Sequence, residues 1–140
     1  MKERRKARYL ALRVLYSREV TGDSLESQVT SLQEELSGGG GLPPFTVELL
    51  YLIEEKSGRI DELLKGYANR WSIQRMPIID RSLLRMGIAE ILFREDIPPS
   101  VTVNECVELA KRFSTEESGK FINGVLGHLI RDIETEEVPG

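Results

Sequence analysis

The chain has 140 residues and a formal net charge of −4, with 40% hydrophobic and 30% charged residues, the ordinary balance of a globular protein. No apolar run approaches the roughly 20 residues that a spanning helix needs, and the basic N-terminus lacks the apolar stretch and cleavage site of a signal peptide. A single cysteine, Cys106, excludes an internal disulfide and suits a reducing cytosol.

From Glu3 to Val20, Ala7, Leu10, Ala11, Val14 and Leu15 share one broad face, predicting a first helix docked on a core. Thr21-Gly22-Asp23 ends it, and Asp23 with Glu26 is the expected cap of a second helix carried by Leu25, Val29, Leu32 and Leu36. Ser37 and the four glycines 38–41, followed by Leu42-Pro43-Pro44, read as a flexible loop without fixed geometry. A third helix is expected from Thr46 to Ser57, with Val47, Leu50 and Tyr51 inward and Gly58 as its stop. Ile60, Leu63, Leu64 and Tyr67 give a fourth. The stretch from Trp71 to Pro77 reads as a hinge, with Pro77 suited to a first turn.

The fifth helix, Ile78 to Arg94, is apolar through Leu83, Leu84, Ile88, Ile91 and Leu92, which predicts a central, buried element. Pro98 and Pro99 separate it from a sixth helix that Ser100 or Thr102 caps, with Val103, Val107, Ala110 and Phe113 as its apolar face. Ser114 and Glu117 form the expected capping box of the seventh. Its Phe121, Ile122, Val125 and Leu126 turn inward, while Gly124 and Gly127 leave room for a neighbouring backbone. Residues 135–140 read as a frayed acidic tail, so the expected domain is 1–134. With no strand-like alternation of useful length, the fold class is all-α, a single domain of about seven helices.

The net charge hides a polarised chain. Residues 1–20 hold seven Lys or Arg against two Glu, a local +5, which leaves −9 on the other 120 residues. That is a basic patch on an acidic body rather than a uniformly basic nucleic-acid binder. On a helical wheel Arg5, Tyr9, Arg13 and Tyr16 cluster opposite the Ala7, Ala11 and Val14 face, with Lys2 and Lys6 close by. Arginine grips phosphate with paired donors and tyrosine stacks on unpaired bases, the combination that single-stranded RNA requires. A merely solvated basic face, or tyrosines packed at a helix seam, is the competing use of the same residues.

Ser118-Gly119-Lys120-Phe121 fails as a phosphate-binding loop, because Phe121 stands where a magnesium-holding hydroxyl is needed and no strand precedes it. It reads instead as a helix start that favours an anion, with Lys120 and Phe121 extending an RNA surface beside the first helix; Phe121 as core is the competing use. Arg85 and Glu90 are expected in structural ion pairs, with Glu105 and Glu108 as counterparts, and Asp80 offsets the dipole at its helix start. Asn104 and Asn123 suit capping and inter-helix hydrogen bonds. His128 and Cys106 have no companions at metal-ligand spacing and no catalytic triad can be assembled, so no cofactor, metal or bond-breaking chemistry is expected.

The stretch Val103 to Leu126, V-N-E-C-V-E-L-A-K-R-F-S-T-E-E-S-G-K-F-I-N-G-V-L, resembles the C-terminal part of the NusB family of transcription antitermination factors. Cys106 stands where the family usually has Ala, and Ile122 where it often has Val. The resemblance extends to A-R-Y-L-A-L-R-V-L-Y (Ala7 to Tyr16), to the Trp71 region and to Asp80 through Leu92. It implies two packed three-helix-bundle-like halves and a non-enzymatic, cytoplasmic adaptor. Such a protein binds boxA-type RNA in nascent ribosomal transcripts with the ribosomal protein NusE, and joins RNA polymerase and other Nus factors to suppress termination. By the same resemblance the arginine-rich N-terminus, with Arg4, Arg5, Lys6 and Arg8, contacts RNA, and Asp80 lies on the face that docks NusE; Tyr16, Lys120 and Phe121 join the expected RNA contacts on the reading of the residues given above. Two rivals remain. One is a helical protein-interaction module without RNA binding. The other is the front of a ribosomal RNA cytosine methyltransferase, which needs an α/β cofactor domain that no glycine fingerprint announces. The residues leave monomer and homodimer both open.

Overall fold

Seven α-helices run between breaks set by glycine, proline and hydroxyl caps in the computed structural model, which describes residues 2–68 and 72–138. They are α1 (Glu3–Thr21), α2 (Leu25–Glu35), α3 (Pro44–Glu55), α4 (Ser57–Tyr67), α5 (Ile78–Phe93), α6 (Pro99–Phe113) and α7 (Glu116–Glu134). The chain divides into two compact units, Met1–Glu55 and Lys56–Gly140. The expected halves are therefore unequal, α1 to α3 in the first and α4 to α7 in the second. Trp71, at the head of the expected hinge, lies outside the described residues.

In the first unit α1 buries Ala7, Leu10, Ala11, Val14 and Leu15 as the periodicity predicts, and packs on α2 and α3. It stops where Gly22 takes φ 76° and its N–H reaches Arg18 O at 2.8 Å. The cap of α2 is Ser24, whose side chain accepts from Ser27 N at 3.1 Å, not the expected Asp23, which accepts from Gln28 Nε2. The glycine-rich loop also differs from expectation, because it follows a defined path. Ser37–Gly39 form a 3-10 turn, Gly41 N–H bonds Leu36 O at 2.8 Å, and Leu42 N–H bonds Gln33 Oε1 at 2.6 Å. Gly40 and Gly41 sit at φ 96° and 78°, left-handed values that disfavour any side chain. In α3 the inward residues are Phe45, Thr46, Leu49, Leu50 and Ile53, whereas Tyr51, expected inward, is exposed. Thr46 Oγ1 donates to Ala7 O at 2.8 Å, tying α3 to α1. Gly58, expected to stop this helix, lies in the first turn of α4.

In the second unit α5 is central, with Leu83, Leu84, Met86, Ile88 and Ala89 fully buried and α4, α6 and α7 packed around it. Pro98 and Pro99 open α6; Thr102, expected as a cap, is buried and donates to Glu90 Oε1 at 2.8 Å. Arg85 pairs with Asp61 at 2.9 and 3.3 Å, a carboxylate 24 residues away on α4 that the sequence reading did not name. The cap of α7 is Thr115, one residue beyond Ser114, accepting from Ser118 N at 2.9 Å. Between α5 and α7 a close approach falls at Gly87, where an added Cβ would stand 2.6 Å from Leu126 Cδ1. Around Gly124 there is open space, and at Gly127 the nearest atom is 3.6 Å away. Gly87→Val is accordingly expected to lower the unfolding free energy by about 1.5 kcal/mol through overpacking. A urea midpoint equal to that of the unaltered chain would show that α5 and α7 do not meet there. Among the described residues no helix is long and apolar enough to cross a membrane.

Candidate nucleic-acid interface

At the start of α1 the fold leaves three cations, Lys2, Arg4 and Lys6, open to solvent. Lys2 precedes the helix with extended backbone (φ −63°, ψ 153°) and no side-chain cap, so the first backbone N–H groups lack a side-chain acceptor. Lys2, Arg4 and Lys6 are exposed and Arg5 is half-buried. Among the described residues none of Lys2, Arg4 and Lys6 has a carboxylate partner, whereas Arg13 reaches Glu35 at 3.3 Å and Arg18 reaches Glu54 at 2.9 Å. Arg13 and Arg18 are thus neutralised, whereas Lys2, Arg4 and Lys6 keep their charge open. Cations at a helix N-terminus oppose the dipole, each costing about 0.3–1 kcal/mol. Uncapped N–H groups and unpaired cations together favour an incoming anion.

The other expected residues of α1 divide by burial. Tyr16 is 44% exposed, Tyr9 is half-buried and Arg13 is exposed, so the outward face drawn on the helical wheel is present. Arg8 departs from it. Its side chain is only 1% exposed, with the guanidinium 5.2 Å from the centre of the Phe45 ring. Position 8 adjoins the Ala7 and Ala11 face, and the ring of Phe45 accommodates the cation there. Arg8 is therefore not offered to solvent as a phosphate contact. Arg4, one turn earlier, lies over the same ring at 4.1 Å while remaining exposed.

Lys120 and Phe121 belong to the second unit, in the first turns of α7. The Lys120 side chain is 74% exposed and its Nζ stands 3.6 Å from Glu117, an exposed pair of little energetic weight. Phe121 is half-buried. Asp80, expected on a docking face, is 4% exposed. It accepts from Ser114 Oγ at 3.0 Å and from Ser118 Oγ at 2.8 Å, so the turn between α6 and α7 covers it. Thr115 Oγ1 donates to Ser118 Oγ at 3.0 Å and extends the chain of hydroxyls. The sequence did hold a signal for this network: a carboxylate on an apolar helix must find donors, and S-T-E-E-S supplies three hydroxyls.

A second cluster escaped the sequence altogether. Tyr67 OH donates to Asp132 Oδ2 at 2.5 Å, and His128 meets the Tyr67 ring edge-on at 5.0 Å. Burial, and next the bond to Asp132, push the Tyr67 phenol up to about 12, which keeps it a donor at neutral pH. His128 Nε2 lies 3.6 Å from Asp132 Oδ1, too far for a hydrogen bond. Tyr67 and Asp132 are 65 residues apart, beyond any spacing rule. Asn104 and Asn123 are exposed along an open groove with Val103 and Val107, not engaged as buried inter-helix amides. Among the described residues no group of three or more His, Cys, Asp or Glu side chains could hold a metal ion.

Against known proteins, residues 5–131 match the NusB family. The chain is 43% identical over 139 residues to the transcription antitermination protein NusB of Desulfitobacterium hafniense, covering 98% of this chain and 94% of that protein. It is also similar to the structure of T. maritima NusB, with a TM-score of 0.80, 33% identity, and 99% and 95% of the two chains covered. A crystal structure of the antitermination factors NusB and NusE in complex with double-stranded RNA contains a similar chain, with a TM-score of 0.79, 26% identity, and 94% and 98% covered.

Proposed function

Since the chain belongs to the NusB family of transcription antitermination proteins, we propose that it binds boxA-type RNA in nascent ribosomal transcripts together with the ribosomal protein NusE. In the cytoplasm the pair joins RNA polymerase and other Nus factors, and helps the enzyme read through terminators. The action is assembly rather than catalysis. The observation that carries this reading is the open cationic start of α1, where Lys2, Arg4 and Lys6 lack carboxylate partners among the described residues. The −9 carried by the remaining 120 residues keeps indiscriminate nucleic-acid binding low and suits a basic ribosomal partner. Asp80 serves this assembly indirectly, by fixing the turn between α6 and α7.

A NusB relative has been crystallised with NusE on double-stranded RNA. Phosphate contacts are indifferent to base pairing, whereas stacking on Tyr16 selects unpaired bases. Titrating one boxA-type sequence as single strand and as duplex, at two salt concentrations, tests both levels. Three neutralised phosphates give a log–log salt slope of about −2 on the single strand, which should bind more tightly. A flat response with NusE present would favour a protein-interaction module instead. Reversing Lys120 to Glu is expected to weaken single-strand binding about threefold to tenfold; affinity equal to that of the unaltered chain would remove Lys120 from the surface.

A further inference from the structure

We propose that Phe45 is a positioning residue for RNA binding, its ring holding the Arg4 guanidinium flat so that the outer edge of Arg4 faces an incoming phosphate. This rests on the α1 reading above. The Arg4 guanidinium carbon stands 4.1 Å from the centre of the Phe45 ring, a stacking distance, while Arg4 itself remains exposed. A stacked guanidinium uses its face against the ring and keeps its N–H donors in plane, directed outward. The ring is itself held. Phe45 is buried in the first turn of α3, Arg8 lies 5.2 Å from the same ring, and the neighbouring Thr46 hydroxyl bonds Ala7 O at 2.8 Å. The two arginines are one helical turn apart, so a single ring from α3 serves both.

The consequence concerns the cost of ordering. A long arginine loses rotamer freedom when it grips a phosphate, and prior stacking removes part of that loss before RNA arrives. Arg8, buried, contributes no phosphate contact but restrains the ring on which Arg4 rests. Phe45 therefore acts on affinity without touching RNA.

The test is a double-mutant cycle in the full chain, read by titration with a fluorescent single-stranded boxA-type RNA at fixed salt. Arg4→Lys keeps the charge, cannot stack as a plane, and is expected to weaken binding about threefold to tenfold. Phe45→Leu should give a loss of the same size, and the salt slope should change little in either variant because the phosphate charge count is kept. In the Arg4→Lys background Phe45→Leu should add less than twofold, and Phe45→Tyr alone, which keeps the ring, should bind as the unaltered chain does. Independent, multiplying losses would overturn the proposal, since a packing role for Phe45 does not depend on which cation stands at position 4. Should Phe45→Leu prove unfolded by circular dichroism, Arg4→Lys against Phe45→Tyr decides. Full affinity in Arg4→Lys overturns the positioning role while leaving RNA binding intact, whereas no binding by the unaltered chain overturns the parent reading.

Discussion

Replacing Lys2, Arg4 and Lys6 together by glutamine is expected to weaken binding of single-stranded boxA-type RNA by about a hundredfold or more, and to make the log–log salt slope shallower by about 2. The reason is the contrast along α1, where Arg13 and Arg18 face Glu35 and Glu54 while Lys2, Arg4 and Lys6 have no carboxylate partner among the described residues. The same triple variant should keep a stability close to its parent's. Each cation withdrawn from the helix N-terminus relieves about 0.3–1 kcal/mol of unfavourable dipole interaction, while Arg4 gives up its contact with the Phe45 ring, a loss of about the same size. A large loss of affinity at an unchanged melting temperature is an outcome that loss of folding cannot imitate. Affinity unchanged within twofold would mean that these side chains only solvate the helix.

Asp80→Ala is expected to destabilise the protein by about 3 kcal/mol, the sum of two lost charge-assisted hydrogen bonds and a lost dipole contact. Asp80 is buried in the first turn of α5, and the hydroxyls of Ser114 and Ser118 are its donors. Removing the acceptor leaves those hydroxyls beneath the turn between α6 and α7 with fewer partners. Asp80→Asn keeps an acceptor and loses the charge, so its cost should be about half as large. Urea denaturation of both variants measures the difference, and hydrogen exchange should place the loosening at residues 114–118. A midpoint in Asp80→Ala equal to that of the unaltered chain would mean that the hydroxyl network adds nothing.

The helices were legible because each carries its apolar face at helical spacing. In α4 all four of Ile60, Leu63, Leu64 and Tyr67 are buried as the period predicts. Caps were misplaced by one residue at Ser24 and Thr115, because neighbouring positions held equally suitable side chains and only the backbone angle decides which of them turns back. The glycine run looked formless, since composition does not reveal that Gly40 and Gly41 take the left-handed angles of a helix cap. Of the site, the charge of α1 was plain from residues 1–20. The fates of Arg8 and Asp80 were not, because each depends on partners 34 or more residues away: Phe45 for one, Ser114 and Ser118 for the other. Long-range contacts of that kind leave no local period to read.

Photo-crosslinking a single-stranded boxA-type RNA to the full chain, followed by peptide mapping, locates the bound RNA on the protein. The adduct should fall within residues 2–16 of α1, disappear at high salt, and be lost when Lys2, Arg4 and Lys6 are replaced. Crosslinks confined to α2, α3 or the acidic helices, insensitive to salt and to those replacements, would contradict an RNA site on α1.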